Sequence, residues 1–296
     1  MLRIGIIGSD NSHAEAFSAL TNLERDTPNS RIEGVHVTYI YGTDPVRTKE
    51  VADKSKIPNI VDNMEDMIGD VDAVLCVWRH GSKHLHDVMP FIKAKKPVFV
   101  DKPLASSVSD ARQMIEAAQQ AGIAFTSFST LRFAQSTVSF IADLKATAGE
   151  LTQGVSTGPA ETGSEYDGIF FYGIHGVELM HATFGYGCES VLATAHGGSA
   201  TGFCKFNDGR LVTLNFVGPD RGPHIFHIMA FGKNGWKEHL VDSSTSYFDG
   251  MNVFLECFRT GVWPLTPEQL LEPVQVLAAF EKSLAEKREV FLSELG

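Results

Sequence analysis

The sequence has little of what marks secreted, membrane or nucleic-acid-binding proteins. Its four cysteines lie far apart among 296 residues and form no CxxC pair, so neither a disulfide framework nor a zinc knuckle is expected. No run of about eighteen apolar residues could span a membrane. The formal net charge is −11, and no basic stripe offers contacts to a phosphate backbone. The sequence predicts a soluble protein of the reducing cytoplasm that binds neither membrane nor nucleic acid.

Glycine is also scarce at the first turn, where a nucleotide-binding protein would need it. An apolar run, Gly8 at the bend, and Ser12 followed by Glu15 predict a buried strand, a tight turn and a capped helix start. A dinucleotide turn normally reads G-x-G-x-x-G, since glycines let the backbone approach a pyrophosphate. Here the frame is GSDNSH, with Asp10 and His13 at the second and third glycine positions. The turn alone fits either a dinucleotide site or an Asx-type turn that holds no ligand.

Apolar runs alternate with helical patterns through the first half of the chain. A polar segment over residues 24–30 predicts a loop, and the solid apolar runs predict buried parallel strands. The main predicted strands after the first are 35–41, 71–77, 98–100 and 123–128. This alternation predicts a doubly wound, Rossmann-type parallel sheet.

The residues that follow the second predicted strand do not decide between NAD and NADP. Asp44 is the candidate for hydrogen bonding to the adenosine ribose, although Asp44-Pro45 is also a common turn opener. Arg47 could instead bind the 2′-phosphate of NADP. Both cofactors therefore remain candidates.

The central strand ends at Trp78, just before two histidines. His80 and His84 are four residues apart, a spacing compatible with a metal site, but no carboxylate or cysteine nearby completes a ligand set. A polar loop with His84 opening the next helix is the simpler interpretation. No metal is predicted.

The triplet Asp101-Lys102-Pro103 follows the next apolar strand. It lies at the carboxyl end of that strand, where open α/β sheets bind their ligands. Pro103 restricts Lys102 toward an extended backbone, which directs the ammonium. The alternative is a solvated lysine paired with Asp101.

From about residue 129 the pattern changes to strands of alternating polarity. An Asp-Gly turn within Phe203–Phe216 predicts a hairpin, and 224–231 with 236–241 predicts a second strand pair. Thr266 and Gln269 have the spacing of a capping box at the start of a helix. The chain is therefore expected to divide into residues 1–128 and an α+β domain, residues 129–296, with a large open, mainly antiparallel sheet. Such an open sheet predicts a homodimer or homotetramer.

The chain resembles the glucose-fructose oxidoreductase, inositol dehydrogenase and MocA family of NAD(P)-dependent oxidoreductases nearly end to end. The segments that carry the resemblance are the opening IGIIG, DAVLCV with His84 after it, VFVDKPLA, LRFA at 131–134 and GIHGVE at 173–178. VDKPLA resembles the family's E-K-P triplet, with Asp101 in place of glutamate. The resemblance implies that Lys102 lies near the nicotinamide and the substrate hydroxyl.

The family's second signature, D-x-G-x-H-x-x-D, matches residues 171–178. His175 stands at the position of the catalytic histidine, Phe171 replaces the first acid, and Glu178 replaces the second. His175, Glu178 and His181 also have a spacing that places them on adjoining parts of one helix, where a metal cluster would need more ligands. The resemblance implies that His175 is catalytic.

Together the residues and the resemblance predict an oxidoreductase that transfers hydride between NAD or NADP and a small sugar, polyol or related hydroxy compound. The predicted catalytic residues are Lys102 and His175. The predicted substrate-binding residues are Arg132, Tyr172 and Glu178. The predicted cofactor-binding residues are Gly8, Asp10, Asn11, Ser12, His13, Asp44, Trp78, His84, Asp101 and Lys102. The alternatives are a dinucleotide- or sugar-binding regulatory protein that lost the reaction and, more remotely, a metal-dependent lyase or isomerase.

Overall fold

A computed structural model describes residues 1–24 and 30–296. The predicted loop over residues 24–30 lies almost wholly outside the described residues. Within the described part of the chain, the four cysteines are free and buried, and no helix combines the length and apolar character needed to cross a membrane.

The first half of the chain forms a parallel sheet covered by helices, as the alternating pattern predicted. Its strands follow the order β3-β2-β1-β4-β5-β6, and their side chains in the middle of the sheet are fully buried, because helices cover both faces. The elements are β1 (Leu2–Ile7), α1 (Ser12–Asn22), β2 (Val35–Tyr41), α2 (Pro45–Ser55), β3 (Asn59–Ile60), β4 (Ala73–Cys76), α3 (His84–Lys93), β5 (Val98–Asp101), α4 (Val108–Ala121) and β6 (Phe125–Phe128).

The second half forms a seven-stranded, mainly antiparallel sheet in the order β12-β11-β7-β10-β9-β8-β13, in which β7 and β10 run parallel. The prediction of a large open, mainly antiparallel sheet is thus confirmed. The elements are α5 (Gln135–Thr147), β7 (Leu151–Pro159), α6 (Phe170–Phe184), β8 (Cys188–His196), β9 (Ser199–Phe206), β10 (Leu211–Val217), β11 (His227–Gly232), β12 (Gly235–Leu240), α7 (Ser246–Thr260), α8 (Pro267–Glu286) and β13 (Val290–Phe291).

The two predicted strand pairs of this sheet are present. Strands β9 and β10 pair in antiparallel register across the Asp-Gly turn, and β11 and β12 pair in the same way. Helix α8 begins with the predicted capping box, since Thr266 and Gln269 each accept from the other's backbone N–H. Its apolar stripe belongs to the core, where Val274, Leu277 and Phe280 are fully buried.

Helix α7 joins the two halves of the molecule. Its Phe254 ring stacks on Phe99 of β5 with centroids 4.4 Å apart, and it meets Phe17 of α1 edge to face at 5.7 Å. All three rings are fully buried. An element from the second half therefore completes the core of the first, and the division of the chain at residue 128 stays a prediction.

The first turn differs from the prediction in one detail. Asn11, not Ser12, caps helix α1, because the Asn11 side chain accepts from the backbone N–H of His13 at 3.2 Å. Ser12 is the first helical residue, and it is exposed. Asparagine is as good a cap as serine, so the helix starts one residue earlier than the spacing of Ser12 and Glu15 indicated.

Candidate active site

A cleft of about 580 Å³ lies between the two sheets, and we call it the interdomain cleft. The start of α1, the loop after β5 and the first turns of α6 form its walls, together with the segments before β11 and around the start of α7. Its lining residues include Asn11, Ser12, His13, Arg79, Lys102, Thr130, Phe171, Tyr172, His175, His224, Phe226, Ser243, Ser246 and Tyr247.

The turn before α1 is shaped by Gly8. Its φ of +105° lies in the region that favours glycine, and a Cβ there would stand 2.9 Å from the backbone nitrogen of Trp78. The β1 backbone therefore packs directly on the end of β4. This close packing leaves the N-terminal turn of α1, including Asn11 and Ser12, facing the cleft.

His13, at the third glycine position of the motif, forms an ion pair with Asp101. The His13 Nδ1 and Asp101 Oδ2 atoms are 2.6 Å apart, and the Asn11 Nδ2 donates to the same oxygen at 3.4 Å. Asp101 is fully buried. Burial alone would raise the pKa of Asp101, but the interactions with His13 and with Lys102 together hold that pKa below its usual range. His13 and Lys102 thus favour the ionised form of this buried carboxylate.

Lys102 extends from the end of β5 toward α6. Its side chain is almost fully buried, and Nζ donates to the backbone oxygen of Phe171 at 3.3 Å. The same Nζ lies 4.5 Å from the centre of the Phe171 ring and 5.4 Å from that of Tyr172. Burial lowers the pKa of Lys102, while the neighbouring Asp101 partly opposes that shift. The phenyl ring at the position of the family's first acid therefore still faces a cation, through its π electrons.

His175 lies on α6 and contacts the same cleft. Its Nδ1 is 2.7 Å from the hydroxyl oxygen of Ser129, and its ring packs against Phe226. Burial lowers the pKa of His175 well below 6.5, and the nearby positive charge at Lys102 lowers it further. The imidazole is therefore neutral at pH 7.

The predicted substrate residues divide into two groups. Tyr172 lines the interdomain cleft, whereas Arg132 and Glu178 lie outside it and form a buried ion pair with each other. Arg132 also donates to the Tyr186 hydroxyl at 3.0 Å. Burial raises the pKa of Glu178, and the guanidinium opposes that rise. The two side chains thus satisfy each other outside the cleft lining, and a substrate contact of either stays a prediction.

His84, Trp78 and Asp44 are among the predicted cofactor residues that lie outside the cleft lining. His84 is fully buried between the backbone oxygens of Leu104 and Trp78, each 3.2 Å from a ring nitrogen. Trp78 is buried and donates to Asp87 at 2.8 Å. Asp44 is the N-cap of α2 and accepts two backbone N–H groups of that helix. Cofactor contacts of these residues stay predictions.

The remaining turn residue, Asp10, is half-buried, and its Oδ1 has no hydrogen-bond partner among the described residues. Within the same part of the chain, no three His, Cys, Asp or Glu side chains are arranged to hold a metal ion. In particular, His80 packs on Tyr166 while His84 is enclosed by backbone oxygens.

Sequence reasoning missed several residues of the site, among them Ser129, Arg79, His224 and Tyr247. Ser129 directly follows β6 at the carboxyl edge of the sheet, and that position is a signal that could have identified it. Arg79 lies three residues beyond the end of β4. His224 comes from the loop before β11 and Tyr247 from the first turn of α7, neither with a recognisable motif, so only the packing of the chain brings them to the cleft.

Residues 2–128 match the model of a family described as an oxidoreductase family with an NAD-binding Rossmann fold. An inositol 2-dehydrogenase of Acidothermus cellulolyticus is 31% identical over 136 residues, which are 44% of this chain and 36% of that protein. A 1,5-anhydro-D-fructose reductase of Ensifer adhaerens is 35% identical over 95 residues, 31% of this chain and 28% of that protein. The alignments thus span about a third of these relatives.

A comparison of folds extends the similarity to the whole chain. The crystal structure of scyllo-inositol dehydrogenase from Lactobacillus casei, with bound NAD(H) and scyllo-inositol, superposes with a TM-score of 0.85. The match covers 99% of both chains at 14% sequence identity, which supports a common fold.

The fold and the cleft define a two-domain protein of the Rossmann class with its candidate site between the domains. The family model covers residues 2–128, so the similarity to this oxidoreductase family is established for the first half of the chain.

The buried pair of Arg132 and Glu178 leads to a test of its role. Changing Arg132→Met leaves an uncompensated buried carboxylate, and we expect a loss of roughly 3 to 5 kcal/mol in the free energy of unfolding. The double variant Arg132→Met, Glu178→Leu should recover most of that loss, because it removes both charges. Urea unfolding followed by circular dichroism measures both values. An Arg132→Met variant of unchanged stability would contradict the structural role and favour a substrate contact.

Proposed function

We propose that the protein is an oxidoreductase that transfers hydride between a nicotinamide dinucleotide and the CH–OH group of a sugar, polyol or related hydroxy compound. The observation that carries the proposal is that Lys102 and His175, from different domains, line one cleft beside the start of α1. The relatives named for inositol and anhydrofructose chemistry support the substrate class. When bound, the nicotinamide supplies the hydride acceptor or donor.

The residues around the first turn fit a dinucleotide. Gly8 lets the turn pack closely against Trp78, and the start of α1 offers N–H groups and a positive dipole end to a phosphate. Asn11 already occupies the His13 N–H, so phosphate would rely on the remaining amides and on the Ser12 hydroxyl. NAD is favoured over NADP, because Arg47 is neutralised by Glu15 at 2.5 Å and is not free for a 2′-phosphate.

His175 is the proposed general base for oxidation. The substrate hydroxyl gives its proton to Nε2 while the carbinol C–H bond breaks with loss of hydride, so that the C–O bond becomes a carbonyl. A basic Nε2 requires the ring proton on Nδ1, where it donates to the Ser129 hydroxyl oxygen. In the reverse direction the same nitrogen returns the proton.

Lys102 is the proposed oxyanion stabiliser. Its buried ammonium is held by the Phe171 carbonyl and two aromatic rings, which leaves a preorganised charge beside the reacting oxygen. The regulatory alternative would not require a lysine and an imidazole to share one cleft. The lyase alternative lacks a metal cluster among the residues that the structure describes.

We also propose that the protein forms a homodimer or homotetramer through its second sheet. Large apolar side chains stand exposed on that sheet, which is more apolar surface than a monomer usually leaves in water. They are Leu192, Phe203, Leu211, Phe231, Trp236 and Leu240. The four buried free thiols are consistent with a reducing compartment such as the cytoplasm.

The first prediction concerns the base. The His175→Ala variant should lose turnover by about a hundredfold or more, because general base catalysis typically contributes 10²–10⁴-fold, while its Kd for NADH stays close to that of the original protein. Steady-state rates and a fluorescence titration with NADH measure the two effects. His196→Ala, which removes an exposed histidine, is the matched control. Full turnover by His175→Ala would remove this residue from the mechanism.

The second prediction concerns pH. Only unprotonated His175 accepts a proton, and its lowered pKa keeps it unprotonated as the pH falls through 6.5. The acid limb of kcat/KM for oxidation should therefore lie well below pH 6.5. A pH–rate profile of the purified protein measures this limb. An acid limb at or above pH 6.5 would be inconsistent with a buried neutral base.

The third prediction concerns assembly. Phe203 and its cross-strand neighbour Leu192 are both exposed on the second sheet, so Phe203→Lys should shift the protein to a monomer. Light scattering coupled to size-exclusion chromatography gives the mass. Val138→Lys, which alters an equally exposed residue on α5, should leave the assembly intact. A monomeric original protein would refute the proposed oligomer.

A further inference from the structure

In the described part of the chain, the interdomain cleft is lined by basic side chains and by no acidic ones, although the protein as a whole is acidic. The sequence contains 36 acidic and 25 basic residues. Among the described residues, none that lines the cleft is Asp or Glu. The cationic side chains that line it are those of Arg79 and Lys102. The described cleft lining therefore lacks acidic residues, although the chain contains more acidic than basic residues.

Two acids whose sequence positions suggested a role in the site, Asp101 and Glu178, are absent from the cleft lining. Asp101 is buried behind the cleft and paired with His13 at 2.6 Å, and Glu178 is paired with Arg132 below it. At the position of the first acid of the D-x-G-x-H signature, Phe171 turns its ring toward Lys102. No carboxylate therefore remains at the cleft wall, among the described residues, to accept hydrogen bonds from a neutral polyol.

Arg79 is the fixed cation of this wall. Its Nη1 donates to the Tyr166 hydroxyl at 3.0 Å, and its guanidinium carbon lies 5.0 Å from the centre of the same ring. These two contacts hold the planar guanidinium in place. The Tyr166 hydroxyl is the one acceptor that the described residues provide, so the guanidinium retains N–H donors for a ligand.

We propose that the substrate is an anionic hydroxy compound, a hydroxy acid whose carboxylate is bound by the guanidinium of Arg79. The inference rests on the proposed function and narrows its substrate class. A guanidinium matches a carboxylate through parallel N–H donors, which a neutral hydroxyl cannot equal. With its carboxylate at Arg79, the substrate presents its carbinol group to Lys102 and His175, which line the same cleft.

The same positive wall could serve the pyrophosphate of the dinucleotide. A contact of Arg79 with the pyrophosphate and a contact with the substrate carboxylate have different measurable effects. A role toward the pyrophosphate affects the Kd of NADH, whereas a role toward the substrate affects the preference between charged and neutral substrates.

The test compares aldonates with the alditols of the same carbon chain: gluconate with glucitol, and galactonate with galactitol. We expect the original protein with NAD to favour the aldonate of at least one pair by about 10- to 100-fold in kcat/KM, the range of a charged hydrogen bond. Arg79→Met should abolish that preference and leave the Kd of NADH within about twofold. Lys93→Met, which removes an exposed cation of α3, is the control that should retain the preference.

The outcomes separate the two proposals. Turnover that favours the alditols, or that favours neither member of a pair, would overturn the anionic substrate and leave the oxidoreductase intact. A weaker Kd of NADH in Arg79→Met, with the aldonate preference unchanged, would assign Arg79 to the dinucleotide and also overturn the inference. Tight NADH binding without turnover of any pair would contradict the proposed function, and the substrate class would fall with it.

Discussion

The buried ammonium of Lys102 is the constraint around which the candidate site is organised. A cation removed from water is costly unless nearby groups replace its solvation. Here the replacement comes from both domains, since Asp101 precedes it in the first, and the carbonyl and ring of Phe171 belong to the second. The two domains must therefore keep a fixed relation for Lys102 to remain charged. The aromatic stack of Phe254 on Phe99 stabilises that relation, because it fixes α7 against the first sheet.

The surroundings of His175 and Asp101 also give these two buried groups the different protonation states that the proposed chemistry needs. Desolvation and neighbouring positive charge keep His175 neutral, while His13 and Lys102 favour the ionised form of Asp101 although it is buried. A neutral imidazole beside an ammonium is the pairing expected of a base and an oxyanion stabiliser. Ser129 orients the imidazole by a hydroxyl instead of a carboxylate, so it does not raise the basicity of the ring as a charged partner would.

Most of the fold could be predicted from local patterns. Solid apolar runs and the alternation of strands with helices define the parallel sheet, and the Asp-Gly turn of β9 and β10 defines a hairpin, because both depend on residues close in sequence. The end of β5 likewise identified Lys102 by its position. The pairing of Arg132 with Glu178 could not be predicted, since it joins residues 46 positions apart, and a charged side chain in a motif is as readily structural as functional. Contacts that depend on the packing of two domains, such as those of His224, leave no local signal.

The central claim is that Lys102 and His175 hold one reacting oxygen between them. A crystal structure of the chain with NADH and a bound hydroxy compound tests it most directly. The account predicts the nicotinamide ring in the interdomain cleft and a substrate oxygen within about 3.2 Å of both Lys102 Nζ and His175 Nε2. A nicotinamide bound outside this cleft, or a substrate oxygen beyond the reach of either group, would contradict it.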